Sequence, residues 1–414
     1  MKTVDAVIIG GGSAGLAAAL EIKNNGIEDI LIIERDQELG GILNQCIHNG
    51  FGLQVFKEEL TGPEYAERYA KKVIEEKIPY VLNSMVIKIH EGNIVEYANA
   101  EEGFVQVKAK AIVMTTGCYE RNAGAISIPG DRPSGVFTAG TAQKYLNMDG
   151  YLVGKKVFIL GSGDIGLIMA RRMTLEGAEV LGVAEVMPYS GGLKRNIVQC
   201  LEDYDIPLYL SHTVTKIIGD EHIEKIIVQE VKNFVPVPGT EMELEVDALL
   251  LSIGLIPENG ISEGAGIKLH PRTKGPIVDE SYQTNVKGIF ACGNALHVHD
   301  LVDFVTEESI RTGKAVSRYI KNEIIEDQTF DTEAKNGISY IVPQKINISN
   351  IDKKIELFMR VNAVHHDTEL IVKGDGKEIR RIKKQHMAPA EMEKVVLAKK
   401  QLEGISGTLT VEVK

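Results

Sequence analysis

Two glycine-rich turns constrain this chain more than any other feature of its sequence. Both have the pattern G-x-G-x-x-G, one beginning at Gly10 and the other at Gly161. Each follows an apolar run typical of a buried strand and precedes a stretch of small residues typical of a helix. In such a unit the glycines let a pyrophosphate approach the backbone at the helix N-terminus. Two units predict two bound dinucleotides, and the simplest reason to hold both is to pass a hydride between them.

The first turn has the complete sequence signature of a dinucleotide site. Gly10 permits the sharp turn out of a strand at 4–9, Gly12 allows close approach of a phosphate, and Gly15 lets the helix at 13–25 pack on the sheet. A carboxylate, Glu34, follows the next strand, where it can accept hydrogen bonds from ribose hydroxyls. The alternative is a strand–turn–helix unit without a ligand. The residues predicted to hold this dinucleotide are Gly10, Gly12, Ser13, Ala14, Gly15, Glu34 and Arg35.

The second turn repeats this arrangement with a strand at 157–160 and a helix that ends near residue 176. Glu185 follows the next strand, where it can bind the 2′-hydroxyl of NAD and repel the 2′-phosphate of NADP. Lys194 and Arg195 lie close in the sequence and offer charge for a phosphate instead. We favour NAD and keep NADP as the alternative. The predicted contacts are Gly161, Gly163, Asp164, Ile165, Gly166 and Glu185.

Further motifs resemble the flavoprotein disulfide-reductase superfamily, whose members carry two dinucleotide-binding domains. They are Leu39-Gly40-Gly41 after the first acid, a strand and Thr-Gly turn at 111–117, a strand and glycine turn at 247–257, and an apolar strand ending in Gly293-Asn294. The superfamily has Asp in place of Asn294, and an amide can still hydrogen-bond a ribityl hydroxyl as a neutral group. The resemblance implies FAD at the first turn and NAD at the second. It adds Gly41, Thr116, Gly117, Gly254, Gly293 and Asn294 to the predicted cofactor contacts.

The fold class that follows is α/β. We expect two Rossmann-like three-layer domains, with the NAD domain inserted in the FAD domain, and a small β-rich C-terminal domain. The predicted boundaries are 1–118 and 275–330 for the FAD domain, 119–274 for the NAD(P) domain and 335–414 for the C-terminal domain.

Two histidines and an aspartate precede a predicted helix at 301–321. In the fold that the resemblance implies, this helix N-terminus points at the flavin pyrimidine, where negative charge develops on reduction. The helix dipole and the imidazoles of His297 and His299 would stabilise that charge. We name His299 and Asp300 as candidate catalytic residues because they lie nearest the helix start. The alternative is that the histidines only form local hydrogen bonds.

A lone cysteine, Cys46, stands where disulfide reductases carry a Cys-x4-Cys pair. An intramolecular dithiol cycle needs two sulfurs, so that chemistry is excluded at this position. Cys46 could still cycle through a sulfenate or a mixed disulfide, with His48 lowering the thiol pKa. A buried single cysteine is more often inert. We keep Cys46 as a third candidate catalytic residue and assign Cys118 and Cys292 to packing.

The stretch from 117 to 143 resembles FAD/NAD subunits of multi-subunit opine and amino-acid dehydrogenases and of sarcosine oxidase, and flavoproteins associated with anaerobic glycerol-3-phosphate dehydrogenases. In such assemblies a partner subunit oxidises the substrate. The resemblance therefore implies a FAD-dependent NAD(P)H oxidoreductase that serves as an electron-transfer subunit in a homo- or hetero-oligomer. Two alternatives remain: a stand-alone peroxide or disulfide reductase using Cys46, and a non-catalytic scaffold that retains FAD.

The last 80 residues alternate apolar and polar positions in several short runs, which predicts strands and a β-rich domain. One stretch, 389–400, is predicted as a short helix. We expect this domain to dock a partner subunit or to make a self-contact. His365, His366 and Asp367 offer metal ligands, but adjacent histidines in a strand point to opposite faces, so no metal site is predicted.

Charge and hydropathy exclude several classes of protein. The net charge is −12. Residues 335–414 carry more Lys and Arg than Asp and Glu, so residues 1–334 are more acidic still. So acidic a segment argues against nucleic acid as a ligand. No run reaches the ~20 apolar residues of a membrane span, and the N-terminus lacks the basic leader of a signal peptide. The four cysteines form no CxxC pair, so we expect a reduced, cytoplasmic protein without a metal site.

Overall fold

The computed structural model describes residues 1–414 as two compact units. The first unit comprises Met1–Asn44, Asn49–Cys118 and Pro257–Lys414, and the second comprises Gln45–His48 and Tyr119–Ile256. The segment 257–274, predicted to belong to the NAD(P) domain, lies in the first unit. There Asn259 donates to the carbonyl of Ala295 at 2.9 Å. The division into three domains stays a prediction.

The α/β class predicted from the sequence is confirmed. The helices are Ser13–Asn24 (α1), Gly62–Glu75 (α2), Ala123–Ile126 (α3), Ala139–Asn147 (α4), Asp164–Leu175 (α5), Lys194–Cys200 (α6), Gly260–Gly264 (α7) and Val302–Ile320 (α8). None of these helices is long and apolar enough to cross a membrane.

The strands, in chain order, are Lys2–Ile9 (β1), Ile30–Ile33 (β2), Asn49–Phe51 (β3), Leu60–Thr61 (β4), Tyr80–Val81 (β5), Met85–His90 (β6), Ile94–Asn99 (β7), Gly103–Met114 (β8), Cys118–Glu120 (β9), Val136–Thr138 (β10), Lys156–Leu160 (β11), Glu179–Glu185 (β12), Leu208–Leu210 (β13), His212–Ile218 (β14), Lys225–Lys232 (β15), Val235–Pro236 (β16), Met242–Glu245 (β17), Ala248–Leu251 (β18), Leu255–Pro257 (β19), Ile289–Ala291 (β20), Phe330–Ala334 (β21), Ile338–Val342 (β22), Lys345–Ile346 (β23), Lys354–Val361 (β24), His365–Gly374 (β25), Lys377–Met387 (β26), Glu393–Ala398 (β27) and Thr408–Val413 (β28).

The first unit is built on a sheet in the order β5-β2-β1-β8-β7-β6, with β20 also paired to β8. The strands β5, β2, β1, β8 and β20 are parallel, as expected where helices connect them. The small residues of α1 allow close contact with α8, because a Cβ on Gly313 would lie 2.8 Å from the carbonyl oxygen of Ala18. This packing places α1, the helix that follows the first glycine turn, directly against α8.

The second unit contains a five-stranded parallel sheet in the order β10-β18-β11-β12-β13. Apolar residues of this sheet and of α4 and α5 form one core. The antiparallel strands β14, β15, β16 and β17 form a second sheet, whose apolar residues share a core with the other face of the parallel sheet. The glycine turn after β11 therefore lies at the carboxyl edge of a sheet covered on both faces.

The C-terminal strands form two sheets, in the orders β23-β21-β28-β25-β26 and β22-β24-β27, that share one apolar core. The predicted helix at 389–400 is wrong, because residues 393–398 form β27, which pairs with β24. Val395 and Leu397 alternate into the core of this sandwich, and that burial outweighs the local helix signal.

Candidate functional site

The first glycine turn cannot accept side chains at its two ends. Gly10 has φ +107°, and a Cβ there would lie 2.6 Å from the carbonyl oxygen of Thr115. A Cβ on Gly15 would lie 1.9 Å from the carbonyl oxygen of Gly10. Steric exclusion by the backbone therefore explains why glycine stands at both positions.

Gly12, at the centre of the turn, faces open space instead. A Cβ there would meet only the Cα of Gly41, at 3.9 Å. Gly12 is also the N-cap of α1, where no side chain accepts a hydrogen bond and no acid stands in the first turn. Ser13 and Ala14 thus begin a helix whose first N–H groups have no side-chain partner. A cradle lined by glycine backbone at a positive helix end fits the diphosphate of FAD.

The predicted ribose ligand, Glu34, lies directly beside this cradle. Its side chain is only 4% exposed, and its oxygens accept from the N–H groups of Gly11 at 2.5 Å and Asp36 at 2.8 Å. These two hydrogen bonds fix the carboxylate and leave lone pairs for ribose hydroxyls. Arg35, also predicted as a contact, is exposed.

Thr115 is a structural part of the first turn that the sequence did not single out. Its hydroxyl lies 2.8 Å from the carbonyl oxygen of Ile9 and 3.0 Å from that of Gly10. Thr116 and Gly117, the predicted cofactor contacts that follow Thr115, form hydrogen bonds with another segment. Thr116 donates to the carbonyl of Glu258 at 2.6 Å, and the carbonyl of Gly117 accepts from the N–H of Glu258 at 2.9 Å. The Thr-Thr-Gly sequence therefore fastens the end of β8 to the turn and to the segment after β19.

The second turn has the same backbone packing as the first, although the side-chain hydrogen bonds of Thr115 and Ser252 differ. Gly161 has φ +100°, and its Cβ would lie 2.1 Å from the carbonyl oxygen of Ser252. The Ser252 hydroxyl accepts from the N–H of Gly166 at 3.1 Å, and Gly163 caps α5 without a side-chain partner. Ser252 thus occupies the place in this turn that Thr115 occupies in the first.

The acid of the second turn is held in the same way as Glu34. Glu185 is buried, and its carboxylate accepts from the N–H and hydroxyl of Ser162 at 3.0 and 2.7 Å and from the N–H of Met187 at 3.0 Å. In both turns the donors are the residue after the first glycine and the residue two beyond the acid. The internal repeat predicted from the glycines therefore includes the orientation of the acid.

The loop at 190–193 and the start of α6 fold back onto the second turn. The N–H of Gly191 donates to the Ser162 hydroxyl at 2.9 Å, and Asp164 accepts from Leu193 N–H and Asn196 at 2.8 and 2.7 Å. The predicted contact Asp164 thus anchors the loop that carries two cations, while Ile165 is half-buried on α5. These cations, Lys194 and Arg195, begin α6.

A cavity of about 660 Å³ adjoins this turn within the second unit. Its lining includes Gly161, Gly163, Glu185 and Gly254, four of the predicted cofactor contacts. Gly254 has φ +102°, and its carbonyl accepts from the N–H of Arg121 at 3.0 Å. A cavity that combines the glycine turn with the acid fits a pyridine dinucleotide.

The Gly293-Asn294 motif is joined to a buried acid on α8. The N–H of Gly293 donates to Glu308 at 2.7 Å, and the Asn294 side-chain oxygen accepts from the N–H of His299 at 3.0 Å. The Asn294 nitrogen lies 3.5 Å from the sulfur of Cys118. With its oxygen engaged and one N–H directed at Cys118, the amide has its other N–H left to offer a ribityl hydroxyl.

Glu308 also contacts both predicted histidines. Its oxygens lie 2.8 Å from Nε2 of His297 and 3.2 Å from Nε2 of His299, and all three side chains are essentially inaccessible to solvent. Burial alone would raise the pKa of Glu308, but the two imidazoles hold that pKa well below its usual range. Burial lowers the pKa of His297, and Glu308 only partly opposes this. A Glu308 carboxylate that accepts a hydrogen bond from a neutral His297 fits these two directions.

Two imidazoles and a carboxylate can also bind a metal ion, and the three ligand atoms lie within 4.8 Å of one another. An ion on both Nε2 atoms would require the protons to move to Nδ1. Neither Nδ1 atom has a hydrogen-bond partner, so that shift would bury two unsatisfied donors. Hydrogen bonding therefore describes this cluster better than metal coordination.

The two other candidate catalytic residues have structural partners. Asp300 pairs with Arg360 of β24 and accepts from the N–H of Met392 at 2.7 Å. Cys46 is half-buried, and its thiol lies 3.7 Å from the side-chain oxygen of Gln143. The structure thus engages Asp300 and Cys46 in contacts within their own units, and their catalytic roles stay predictions.

The surroundings of Cys46 do not favour a thiolate. Burial raises the pKa of this thiol to about 12. Burial and the charge of Arg195 lower the pKa of His48 to about 4, so that the imidazole is neutral at neutral pH. A neutral His48 supplies no charge to stabilise a thiolate, which removes the activation that the sequence suggested.

Comparison with known proteins agrees with this geometry. Residues 4–313 match the family described as pyridine nucleotide-disulphide oxidoreductase. The chain is 24% identical to a subunit of the opine oxidase of Agrobacterium tumefaciens (strain Ach5) over 70% of this chain and 61% of that protein. It is 25% identical to a subunit of the alkyl hydroperoxide reductase of Staphylococcus aureus (strain Mu50 / ATCC 700699) over 70% and 54% of the two chains.

The fold is also that of a solved thioredoxin reductase from T. acidophilum, with a TM-score of 0.63 and 22% identity over 77% of this chain and 98% of that one. The chain thus spans a little over half the length of the curated relatives described above. The predicted oxidoreductase class, with FAD and a pyridine nucleotide as cofactors, is confirmed at the level of the family. On the strength of the match over residues 4–313 and of its two repeated nucleotide turns, the chain belongs to the pyridine nucleotide-disulphide oxidoreductase family.

Proposed function

We propose that this protein passes a hydride between NAD(H) and bound FAD as the electron-transfer subunit of a multi-subunit dehydrogenase. The observation that carries the proposal is the repeated turn, in which Glu34 and Glu185 are each oriented by two backbone N–H groups. One polypeptide therefore offers two separate sites with matched chemistry for an adenosine ribose and a diphosphate.

The residues supply binding and orientation. When bound, FAD supplies the chemistry of hydride acceptance from a nicotinamide. The N-terminus of α1 offers N–H groups and a positive dipole end to the diphosphate, and Glu34 offers carboxylate oxygens to ribose hydroxyls. The second turn and Glu185 do the same for the pyridine dinucleotide. Because hydride transfer depends on alignment of the reacting rings, rigid anchoring of both nucleotides is the protein's contribution.

A partner subunit is favoured over a thiol substrate. The Cys46 thiol has a pKa raised by burial to about 12, which leaves it protonated, and no second cysteine stands beside it in the sequence for a dithiol cycle. One relative is by name a subunit of an opine oxidase, which supports transfer to or from another polypeptide. The substrate oxidised by the assembly would be an opine, an amino acid or glycerol 3-phosphate.

NAD is the proposed nucleotide. The buried Glu185 carboxylate at the ribose position accepts hydrogen bonds from hydroxyls and repels a 2′-phosphate. Lys194 and Arg195 lie at the start of α6, in the loop anchored by Asp164, where they can meet the diphosphate.

Anaerobic mixing tests the core of this proposal. The FAD-loaded protein is mixed with NADH or NADPH, and the visible absorbance of the flavin is followed. We expect bleaching that is faster with NADH. An unbleached flavin with either nucleotide would contradict the proposal and favour a scaffold. Purification of the protein from its native cells, with identification of the polypeptides that accompany it, tests the partner: a protein that always elutes alone would contradict the subunit role.

A further inference from the structure

The hairpin between β15 and β16 has a turn that its sequence does not favour. Lys232 and Val235 are paired, so Asn233 and Phe234 form a two-residue turn, with φ values of +52° and +64°. Positive φ at both central positions defines a turn in which the second residue is commonly glycine. A bulky residue there is an outlier that raises the energy of the backbone.

Another hairpin in this chain shows the usual solution. The turn between β25 and β26 also has two residues, Asp375 and Gly376, with φ values of +48° and +80°. Glycine meets the same backbone requirement there without strain. The hairpin at Phe234 therefore retains an unfavourable residue where a more favourable one is available to the same fold.

Core packing does not account for Phe234. Its side chain is 69% exposed, and it belongs to neither hydrophobic core of the second unit. An exposed aromatic ring on a strained turn stabilises the folded chain little. Strain of this kind is found where a side chain must be presented to a ligand.

Phe234 does line the proposed nucleotide cavity. Val231 and Pro236, from the same hairpin, line it too, together with Gly161 and Glu185 of the second turn. The hairpin thus supplies an apolar and aromatic surface to a cavity whose other residues recognise a phosphate and a ribose.

A ladder of hydrogen bonds connects this hairpin to the ribose acid. Met187 N–H donates to Glu185 at 3.0 Å, Ser211 N–H donates to the carbonyl of Met187 at 3.0 Å, and Val231 N–H donates to the carbonyl of Ser211 at 2.7 Å. Phe234 follows three residues later. The hairpin therefore lies on the side of the cavity where Glu185 would hold the ribose of the adenosine.

We propose that Phe234 is a positioning residue on which the adenine of NAD(H) stacks. The inference rests on the proposed function, since it assumes that the cavity binds a pyridine dinucleotide. Adenine is the ring attached to the ribose that Glu185 recognises, so it is the flat ring nearest this hairpin. Stacking on an aromatic side chain suits a neutral heteroaromatic base and keeps the dinucleotide from sliding along the glycine turn.

The test compares ligands that carry adenine with one that does not. In the FAD-loaded protein, Phe234→Ala should weaken binding of ADP-ribose and of NAD⁺ about tenfold, measured by calorimetry, because neither ligand reduces the oxidised flavin. The rate at which reduced nicotinamide mononucleotide, which lacks adenine, bleaches the flavin should not change. Val235→Ala is the matched control, because Val235 is 64% exposed in the same turn region but does not line the cavity.

A glycine variant separates a ligand role from a structural one. Phe234→Gly removes the ring and relieves the backbone strain, so it should raise the thermal midpoint of the FAD-loaded protein, measured without a pyridine nucleotide, while weakening ADP-ribose binding. A structural role would instead lower the midpoint.

Unchanged ADP-ribose binding in Phe234→Ala would overturn the inference. So would a slower bleaching of the flavin by reduced nicotinamide mononucleotide, if that loss were as large as the loss of ADP-ribose binding. Either result leaves the proposed function standing if the unaltered protein is bleached by NADH. Failure of the unaltered protein to bind NADH at all would instead defeat the proposed function.

Discussion

At the residue scale, the two acids of the nucleotide turns are the most informative side chains. Glu34 and Glu185 have equivalent partners, yet they lie in different units and would serve different nucleotides. Each carboxylate accepts N–H donors on both of its oxygens. An amide in its place would direct an NH₂ group at one of those donors, which leaves a buried hydrogen bond unmade.

The matched substitutions Glu34→Gln and Glu185→Gln should therefore have separable effects. Glu34→Gln should weaken FAD binding about tenfold or more, and Glu185→Gln should weaken NADH binding by a similar factor, because each loses an oriented ribose acceptor. Flavin fluorescence measures the first, and calorimetry on FAD-loaded protein with NAD⁺, which cannot reduce the flavin, measures the second.

Each variant is the control for the other. If Glu185→Gln released FAD while NADH bound normally, the assignment of the two turns to the two nucleotides would be reversed. If Glu185→Gln folds and retains FAD, it should also narrow the preference for NADH over NADPH, because the repulsion of a 2′-phosphate is lost.

Cys46 provides a second prediction at this scale. With a thiol pKa of about 12, the thiolate fraction at neutral pH is negligible, and it rises only as the pH approaches that value. Alkylation of Cys46, followed by peptide mass spectrometry, should remain slow through the range near the usual thiol pKa of about 8.5. NADH should bleach the flavin of Cys46→Ser at the same rate as the flavin of the unaltered protein.

Rapid alkylation near neutral pH, or a loss of NADH-dependent peroxide reduction in Cys46→Ser, would instead support the stand-alone reductase. The experiment is informative because the sequence alone permitted His48 to activate the thiol. The structure gives His48 a pKa lowered to about 4 by burial and by Arg195, so it carries no charge where the thiolate would need one.

At the scale of elements, α8 connects the Gly293-Asn294 motif, a predicted flavin contact, with the buried imidazoles. Glu308 accepts from Gly293 N–H and contacts His297 and His299 from the second turn of this helix. The sequence predicted the helix and singled out the histidines. It did not indicate Glu308, because an acid in an amphipathic helix ordinarily faces solvent and nothing local marks this one as buried.

This cluster should make stability depend on pH. Burial lowers the pKa of His297, so below the unfolded histidine pKa of about 6.5 the unfolded chain binds a proton that the folded chain refuses. Stability therefore rises with pH through this range and is lost as the pH falls. His297→Gln keeps an N–H donor for Glu308 but cannot titrate, so the loss between about pH 7 and pH 5 should shrink by about 1–2 kcal/mol.

Urea unfolding followed by release of FAD measures that difference. The exposed His366→Gln is the control and should leave the pH dependence as it is. Parallel pH profiles for His297→Gln and the unaltered protein would contradict a neutral buried His297. Other charged or titratable groups also act on the cluster of His297, His299 and Glu308. Their effects are common to the unaltered protein and to both variants. These groups are Tyr282, Cys292, Arg311, Tyr340 and Arg360.

The elements also show where sequence reasoning succeeds. The glycine turns, α1 and α8 were predictable because backbone sterics and helix periodicity act over a few residues. The stretch 389–400 was not, because its residues become a strand only when β24 offers a partner and the sandwich offers a core. Phe234 was missed for a related reason: its importance depends on a turn conformation and a cavity formed by distant segments.

At the scale of the whole molecule, the C-terminal strands are an integral part of the first unit. Tyr340 and Val342 share a hydrophobic core with the flavin-domain sheet, and Phe358 packs against the rings of His297 and His299. Residues 335–414, which carry a net positive charge, thus pack against the segment that follows the Gly293-Asn294 motif. Their role in docking a partner subunit stays a prediction, and their packing predicts a second role in supporting the segment expected to hold the flavin.

Arg360 is the residue through which that support should be measurable. It pairs with Asp300, donates to the carbonyl of Val298 at 3.1 Å, and has a side chain that is only 16% exposed. Arg360→Met would leave Asp300 without its cation and free the loop between Asn294 and α8. We expect a loss of about 2–3 kcal/mol of unfolding free energy in urea and weaker FAD binding by flavin fluorescence. Arg381→Met, which breaks a more exposed ion pair of the same sandwich, should lower the unfolding free energy much less and leave FAD binding intact. Equal effects of the two substitutions would mean that the C-terminal strands stabilise the chain without supporting the flavin site.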